Sequence, residues 1–431
     1  MMAVGDTLAL TIEKPAAGGR MLARANGLVV LVSGAIPGER VQAVVERMGK
    51  GVAYAATTRV DESSPDRRPG ASDSLCGGCL YAHVAYPRQL ELKSLVVSDA
   101  FTRIGRMPLP TAVPVTPSGE QGYRMRARLH LRAGRAGFFR EGTHDLCDPR
   151  ATGQLLPETC DVLEGLAAGL AAGGLDGVQA IDLTENCDAS QRVVGLEGLF
   201  PPGGRGRGLE RLAALDGLTG LWSPSAEYGE VHVTDVLHLD ARVSIALRRH
   251  VLAFFQGNRH LLERLVVHVA AQVPEAADLL DLYAGVGLFA LAAAAARRAR
   301  VVAVEGDPVA ARDLAANAVP TDGAVAAVHQ SVEDFVRVGP RAGVGGGERG
   351  RAGRFAVIVD PPRTGLSRPA LDGVVRLGAP RIVYVSCDVA TLARDARRFV
   401  DAGYGLTRVD AFDLFPNTPH VETVAVLDRR G

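Results

Sequence analysis

Strict alternation of polar and apolar residues marks one stretch of this chain. In Tyr123-Arg-Met-Arg-Ala-Arg-Leu-His-Leu-Arg132, Tyr123, Met125, Ala127, Leu129 and Leu131 take one side; Arg124, Arg126, Arg128, His130 and Arg132 take the other. Period two predicts a strand with a buried face and a basic face. Upstream, short apolar runs at Thr7–Ile12, Leu28–Val32 and Val41–Val45 are separated by glycine- and proline-bearing turns. That spacing predicts a small five-stranded barrel of the oligonucleotide-binding kind over residues 1–60. Asp61 to Asp73 is polar and proline-bearing, a linker by composition, and a cysteine segment with a helix follows from Cys76 to about Phe101.

From about Val251 the period changes. Strand-like runs at Asp278–Tyr283, Arg300–Glu305, Ala324–His329, Phe355–Asp360, Arg381–Ser386 and Val421–Leu427 alternate with helical stretches such as Leu288–Arg297 and Pro308–Ala318. This order predicts an α/β domain with a doubly wound, mainly parallel sheet over residues 246–431. Residues 61–245 remain as a central, mainly β domain. A glycine- and arginine-rich loop, Gly343–Gly353, interrupts the alternation.

With 431 residues the chain exceeds one ordinary core, in keeping with three domains. Formal net charge is zero, so affinity for nucleic acid has to come from local patches. One patch stands out: Arg103 to Arg140 holds eight arginines against a single acid, Glu120. Such a row can track a phosphate backbone, which makes Arg124, Arg126 and Arg128 candidate RNA-binding residues; it can equally be a solvated edge strand kept from aggregating by its charge. The longest apolar stretch, Leu288 to Ala296, is too short to span a bilayer, and no signal peptide is visible. A cytoplasmic protein without membrane partner or obligate protein partner is expected. In that setting the six cysteines read as metal ligands, a nucleophile or bystanders rather than disulfides.

Asp281-Leu-Tyr-Ala-Gly-Val-Gly-Leu-Phe289 is a strand, a glycine turn and a helix start. Gly285 and Gly287 let the backbone approach a ligand, and the helix N-terminus offers free N–H groups. Glu305, ending the next strand, stands where an acid can hold ribose hydroxyls. These features point to an adenosine-bearing ligand without choosing between NAD and S-adenosylmethionine. Downstream, Cys387 follows the apolar run Ile382-Val-Tyr-Val385, and Asp360-Pro-Pro-Arg363 follows another. Both tips fall at the sheet edge where such folds bind ligands. Hydride transfer has no use for that thiol. Methylation of a pyrimidine C5 does, because a thiolate adding at C6 loads electron density onto C5, and a base must later remove the C5 proton. Cys387 and Glu422 can supply these groups.

Five segments carry a resemblance: Phe254-Phe-Gln-Gly-Asn258, Asp281-Leu-Tyr-Ala-Gly-Val-Gly287, Asp360-Pro-Pro-Arg363, Val385-Ser-Cys-Asp388 and His420-Val-Glu-Thr423. In this order they resemble the RNA 5-methyluridine (uracil-C5) methyltransferase family, and Val32-Ser-Gly-Ala-Ile-Pro-Gly-Glu39 resembles its N-terminal TRAM domain. The resemblance implies a Rossmann-like S-adenosylmethionine-dependent methyltransferase domain behind a TRAM barrel and a central RNA-binding domain. It implies Cys387 as nucleophile, Glu422 as base, and Gln256, Tyr283, Gly285, Gly287, Glu305 and Asp360 at the cofactor. The barrel and cysteine segment lean toward 23S ribosomal RNA over transfer RNA.

Cys76-Gly-Gly-Cys79 is similar to that family's iron–sulfur segment, whose four ligands begin six residues earlier. Here that position is Gly70. The resemblance makes Cys76, Cys79 and Cys160 metal ligands, with Cys147 a substitute for the absent one; an incomplete cluster, zinc in its place, or residual thiols are the alternatives. Three other functions compete. An amino-methyltransferase wants an aromatic after Asp-Pro-Pro, where this chain has Arg363; an RNA cytosine-C5 methyltransferase often places a cysteine at that turn; a non-catalytic RNA-binding protein would leave Cys387 without work.

Overall fold

The computed structural model describes residues 2–69, 76–173, 175, 177–199, 206–338 and 355–430. Gly70 and the Gly343–Gly353 loop lie outside the described residues. Among the described residues, no helix is long and apolar enough to cross a membrane.

Residues 7–62 build a six-stranded sheet, ordered Thr7–Thr11, Arg40–Gly49, Val52–Glu62, Leu28–Ser33, Met21–Ala25 and Lys14–Pro15. It has one strand more than the expected five, the two-residue Lys14–Pro15. Its core draws Leu10, Met21, Val30, Val41 and Ala53 together with Tyr81, Val84 and Leu92, so the cysteine segment closes the module.

The central sheet has seven strands, and the arginine-bearing strand Arg126–Arg132 is internal to it. It pairs with Arg135–Phe139 on one side and Val178–Glu185 on the other, so the edge-strand reading is overturned. The alternation itself holds, for Tyr123, Met125, Ala127 and Leu129 are at most 3% exposed. A hairpin, His232–His238 with Ser244–His250, leads out of this domain. Its Arg249 pairs with Asp235 at 2.7 Å, both fully buried, and lies over the Phe255 ring, fixing the segment that carries Gln256.

Residues 278–429 form an eight-stranded sheet with Val115–Thr116 at one edge. The order is Val325–His329, Arg300–Glu305, Asp278–Leu282, Phe355–Val359, Arg381–Ser386, Glu422–Arg429, Tyr404–Phe412 and Val115–Thr116. The continuous apolar runs are explained by two cores, one on each face. Leu279, Ile358, Val383 and Val385 enter the first; Leu280, Leu282, Val357, Val359, Ile382 and Tyr384 enter the second. The helix Tyr86–Arg103, far upstream in the chain, packs into the second through Val96, Val97 and Phe101.

All strands from Val325–His329 through Arg381–Ser386 run parallel, but Glu422–Arg429 is antiparallel to both its neighbours. A dinucleotide-binding sheet has no such inserted strand. The insertion matters for the site. An antiparallel strand brings its amino end to the edge where parallel strands have their carboxyl ends.

Candidate active site

Three parallel strands end side by side and deliver Tyr283, Asp360 and Cys387 to the same edge. Thr423 pairs with Ser386, so Glu422 arrives beside Cys387 from the opposite direction. Asp388 caps the following helix by accepting from the Thr391 N–H at 2.9 Å, which fixes the turn that holds Cys387. The strands on either side of Asp278–Leu282 lead away in opposite directions, opening a crevice there.

That crevice is a cavity of about 500 Å³. Gln256, Tyr283, Gly285, Glu305, Asp360, Cys387 and Glu422 all line it, with Arg363, Phe254 and Phe415. Gly287 is not on the wall but caps the helix behind it, at φ 99°. A Cβ there would meet Leu291 at 2.7 Å and Leu314 at 2.9 Å, so both backbone angle and packing demand glycine. Tyr283 adopts φ 63°, a conformation rare for an aromatic residue and concentrated at functional sites.

Charge in the cavity is mainly acidic. Glu305 accepts from the Gly285 N–H at 2.7 Å and the Asp307 N–H at 2.6 Å, tying the second strand to the glycine turn. Burial, with some contribution from the Glu305 charge, pushes Asp360 up to about 7, although Gln256 donates to it at 3.4 Å. Asp281, which the sequence placed in the motif but not among the site residues, is fully buried behind this wall. Burial, followed by the Asp360 charge, raises its carboxyl well above the ordinary range, against the nearby Ala290 N–H. Such acids suit a ligand that carries positive charge and ribose hydroxyls. S-adenosylmethionine fits that description, and Gln256, Tyr283, Glu305 and Asp360 all line the cavity.

Around Cys387 the surroundings differ. Burial pushes its thiol up to about 11, and the charges of Glu422 and Asp360 add to this, while the Arg363 guanidinium pulls it back. Glu422 is 1% exposed. Burial, then Asp360, raises its carboxyl well above the usual range, again against Arg363. Its Oε1 is buried without a hydrogen-bond partner. Arg363 thus faces both reactive groups; the sequence carried this signal in the residue after Asp-Pro-Pro, where it was read only as evidence against an amino-methyltransferase.

The basic strand approaches the cavity mouth. Arg126 lies over the ring of Phe254, which lines the mouth and is 62% exposed. Its neighbours are otherwise engaged. Arg124 donates to Gln154 Oε1 at 2.7 Å and to the Arg126 carbonyl, and Arg128 pairs with Asp182 and Glu197. The row looked unrelieved by acids along the chain; the relief comes from Asp182 on the adjacent strand Val178–Glu185 and Glu197 on Arg192–Gly198, the strand beyond it.

The cysteines depart from expectation. Cys76 bridges to Arg140, at one end of the Arg135–Phe139 strand region, while Cys147 pairs with Phe138 on that strand. Their Cα atoms come within 5.9 Å and the two form a disulfide, which corrects the view that no cysteine would be bonded. Cys79 and Cys160 are buried in the same core and are not disulfide-linked. Among the described residues no group of three His, Cys, Asp or Glu side chains is placed to hold a metal. With Cys76 and Cys147 bonded together and glycine at position 70, the residues do not fit a four-thiolate cluster. Cys187 is partly buried; it packs against the first core of the large sheet and its Sγ lies 3.9 Å from Met125 Sδ.

Comparison with known proteins gives the lineage. The family model for tRNA (Uracil-5-)-methyltransferase matches residues 227–430, and that for the TRAM domain matches residues 3–57. The chain is 32% identical over 446 residues to a 23S rRNA (uracil(1939)-C(5))-methyltransferase, RlmD, of Pseudomonas putida, covering 99% of this chain and 94% of the relative. It belongs to the RNA uracil-C5 methyltransferase family. An uncharacterised RNA methyltransferase of Corynebacterium efficiens is also 32% identical, across 99% of this chain and 96% of its own length. The crystal structure of Pyrococcus abyssi tRNA (uracil-54, C5)-methyltransferase with S-adenosyl-L-homocysteine shares the fold, at a TM-score of 0.72. It is 24% identical and the match covers 97% of this chain and 99% of that one. This family member is a methyltransferase with RNA as its substrate and S-adenosylmethionine as its cofactor.

Proposed function

We propose that this enzyme forms 5-methyluridine in 23S ribosomal RNA, in the cytoplasm, through a covalent adduct between Cys387 and C6 of the target uracil. The observation that carries the reading is that Cys387, Glu422 and the acid-lined cofactor crevice share one cavity. The ribosomal target rests on the RlmD relative and on the length over which it aligns.

Bound S-adenosylmethionine supplies an electrophilic methyl group; the remaining work belongs to the chain. Cys387, as thiolate, bonds to C6, and the displaced electron pair moves toward C5 and the O4 carbonyl. C5 thereby becomes nucleophilic enough to take the methyl. Glu422 then accepts the C5 proton, the C5–C6 double bond re-forms, and the C6–S bond breaks to return the thiolate. A raised carboxyl is suited to this task, because it is a stronger base than an ordinary glutamate once ionised. Gln256, Tyr283, Glu305 and Asp360 hold the cofactor, and Arg363 favours the thiolate.

The test uses RNA from a deletion strain, digested and read by mass spectrometry, beside trapping with 5-fluorouridine-containing RNA. Loss of one 5-methyluridine from 23S RNA, and an adduct that forms with the parent but not with Cys387→Ala, are expected. Loss from transfer RNA instead would move the target. Normal methylation by Cys387→Ala would end the covalent reading.

A further inference from the structure

Glu422 begins its strand directly after a loop, residues 413–421, and four consecutive carbonyls of that loop are held from elsewhere. Asn258 Nδ2 donates to the Leu414 carbonyl at 2.9 Å. Lys93 Nζ donates to that of Phe415 at 3.0 Å. The Tyr123 hydroxyl shares its proton between that of Pro416 at 3.4 Å and Gln154 Oε1 at 3.1 Å, and the Tyr81 N–H donates to that of Asn417 at 2.8 Å. Three of the four donors come from upstream of the methyltransferase fold, in the cysteine segment, its helix and the approach to the basic strand.

Side chains complete the grip. Lys93 forms an ion pair with Asp413 in which both side chains are fully buried. It is one of only three lysines in an arginine-rich chain. Gln89, fully buried, donates to Asn417 Oδ1 at 2.8 Å and accepts from the Asn417 N–H at 2.9 Å. The same Nε2 reaches the carbonyls of Tyr81 and Val84 at 3.1 and 2.9 Å. Asn417 itself has φ 62°, so the reciprocal pair fixes a backbone angle that few side chains adopt. The barrel contributes as well: a Cβ on Gly19 would come within 2.9 Å of Pro419 Cγ.

The geometry points to Lys93 and Gln89 as positioning residues for Glu422. They act through Asp413, Phe415 and Asn417, and touch neither uracil nor cofactor. A fully buried ion pair contributes little to stability compared with an apolar pair of similar shape. Its effect here is on where the loop sits. The cysteine segment is thus a strut for the proton-removal step, which gives the Cys76–Tyr81 region a task that needs no metal. This rests on the reading of Glu422 as the base.

The experiment separates the two halves of the reaction in the full-length protein. Gln89→Leu, and the paired replacement Lys93→Met with Asp413→Leu, are compared with the parent on a 23S transcript and on its 5-fluorouridine counterpart. Once the methyl is on C5, fluorine blocks release whatever the base does, so trapping reports thiolate addition and methyl transfer, the steps before proton removal. Turnover on the uridine transcript is expected to fall by about 10-fold to about 100-fold, the scale of a small misplacement of a reacting group. A covalent protein–RNA adduct should accumulate on that transcript, while fluorouridine trapping and S-adenosylhomocysteine binding match the parent. Trapping and turnover that fall together, or turnover without adduct, would overturn the inference. Tyr123→Phe removes one donor to the same loop and should show the same partition more weakly; a variant that traps and releases like the parent counts against the strut. A parent that fails to trap fluorouridine RNA defeats the covalent reading instead.

Discussion

Burial at Cys387 opposes the very ionisation that its proposed role requires. A thiol raised to about 11 is almost wholly protonated near neutrality, and only the thiolate attacks. Each unit of pH below that value costs about a factor of ten in thiolate. The single-turnover rate of adduct formation with 5-fluorouridine RNA should therefore climb with pH, with a log slope near one between about pH 7 and about pH 9. Arg363 acts in the opposite sense to burial, so Arg363→Gln should move the whole profile to higher pH and lower the rate at neutrality. A flat profile would show that RNA binding itself ionises the thiol. Cys387 was legible because its motif and its place after an apolar run agree. Asp281 was not, because an acid inside a strand reads as polar punctuation until the fold surrounds it with other carboxylates.

At the scale of elements, the glycine turn shows what a motif can and cannot convey. Spacing alone predicted a strand, a turn and a helix start, and the chain makes all three. It could not separate the two glycines. Gly285 has φ 57° with no atom within 4 Å of an added Cβ, whereas Gly287 is crowded by Leu291 and Leu314. Gly285→Ala should cost about 1 kcal/mol of stability from backbone strain, and Gly287→Ala more than that, about 2 to 4 kcal/mol with strain and overpacking together. Thermal unfolding of the two variants checks the order. Equal losses would mean that the helix shifts to admit the methyl group. The strand expected at Val421–Leu427 is present as Glu422–Arg429, but its antiparallel direction was not legible, since direction is set by the connection through Tyr404–Phe412 and not by its own residues. The distant Tyr86–Arg103 helix is a related case. Its amphipathic pattern gives a buried face without saying which core receives it; Leu92 enters the N-terminal module, and Val96, Val97 and Phe101 enter the methyltransferase sheet.

Over the whole molecule, the charge pattern along the chain and the charge pattern in space part company. The alternation placed Arg124, Arg126 and Arg128 on one face of a strand; the strand begins at Arg126, with Arg124 just before it in an isolated bridge to Asn258, and strands that arrive later in sequence bring Asp182 and Glu197 onto Arg128. Arg124 turns to Gln154 and the ring of Phe138. Arg126 alone of the three lies over the exposed Phe254 at the cavity mouth, where an RNA strand delivering a uridine must pass. The three arginines are therefore expected to contribute unequally to RNA affinity. Arg126→Ala should weaken binding and reduce the magnitude of the log–log salt slope by about 0.7 to about 0.9, the loss of one phosphate contact. Arg128→Ala should leave the slope nearly unchanged, because its charge is already matched by two carboxylates. S-adenosylhomocysteine affinity should not move in either variant, since neither residue lines the cofactor crevice. Titrations of 23S transcript at several salt concentrations decide the matter. Equal slope changes at both positions would show that RNA displaces the carboxylates, and that the whole arginine row, not its end beside Phe254, carries the backbone.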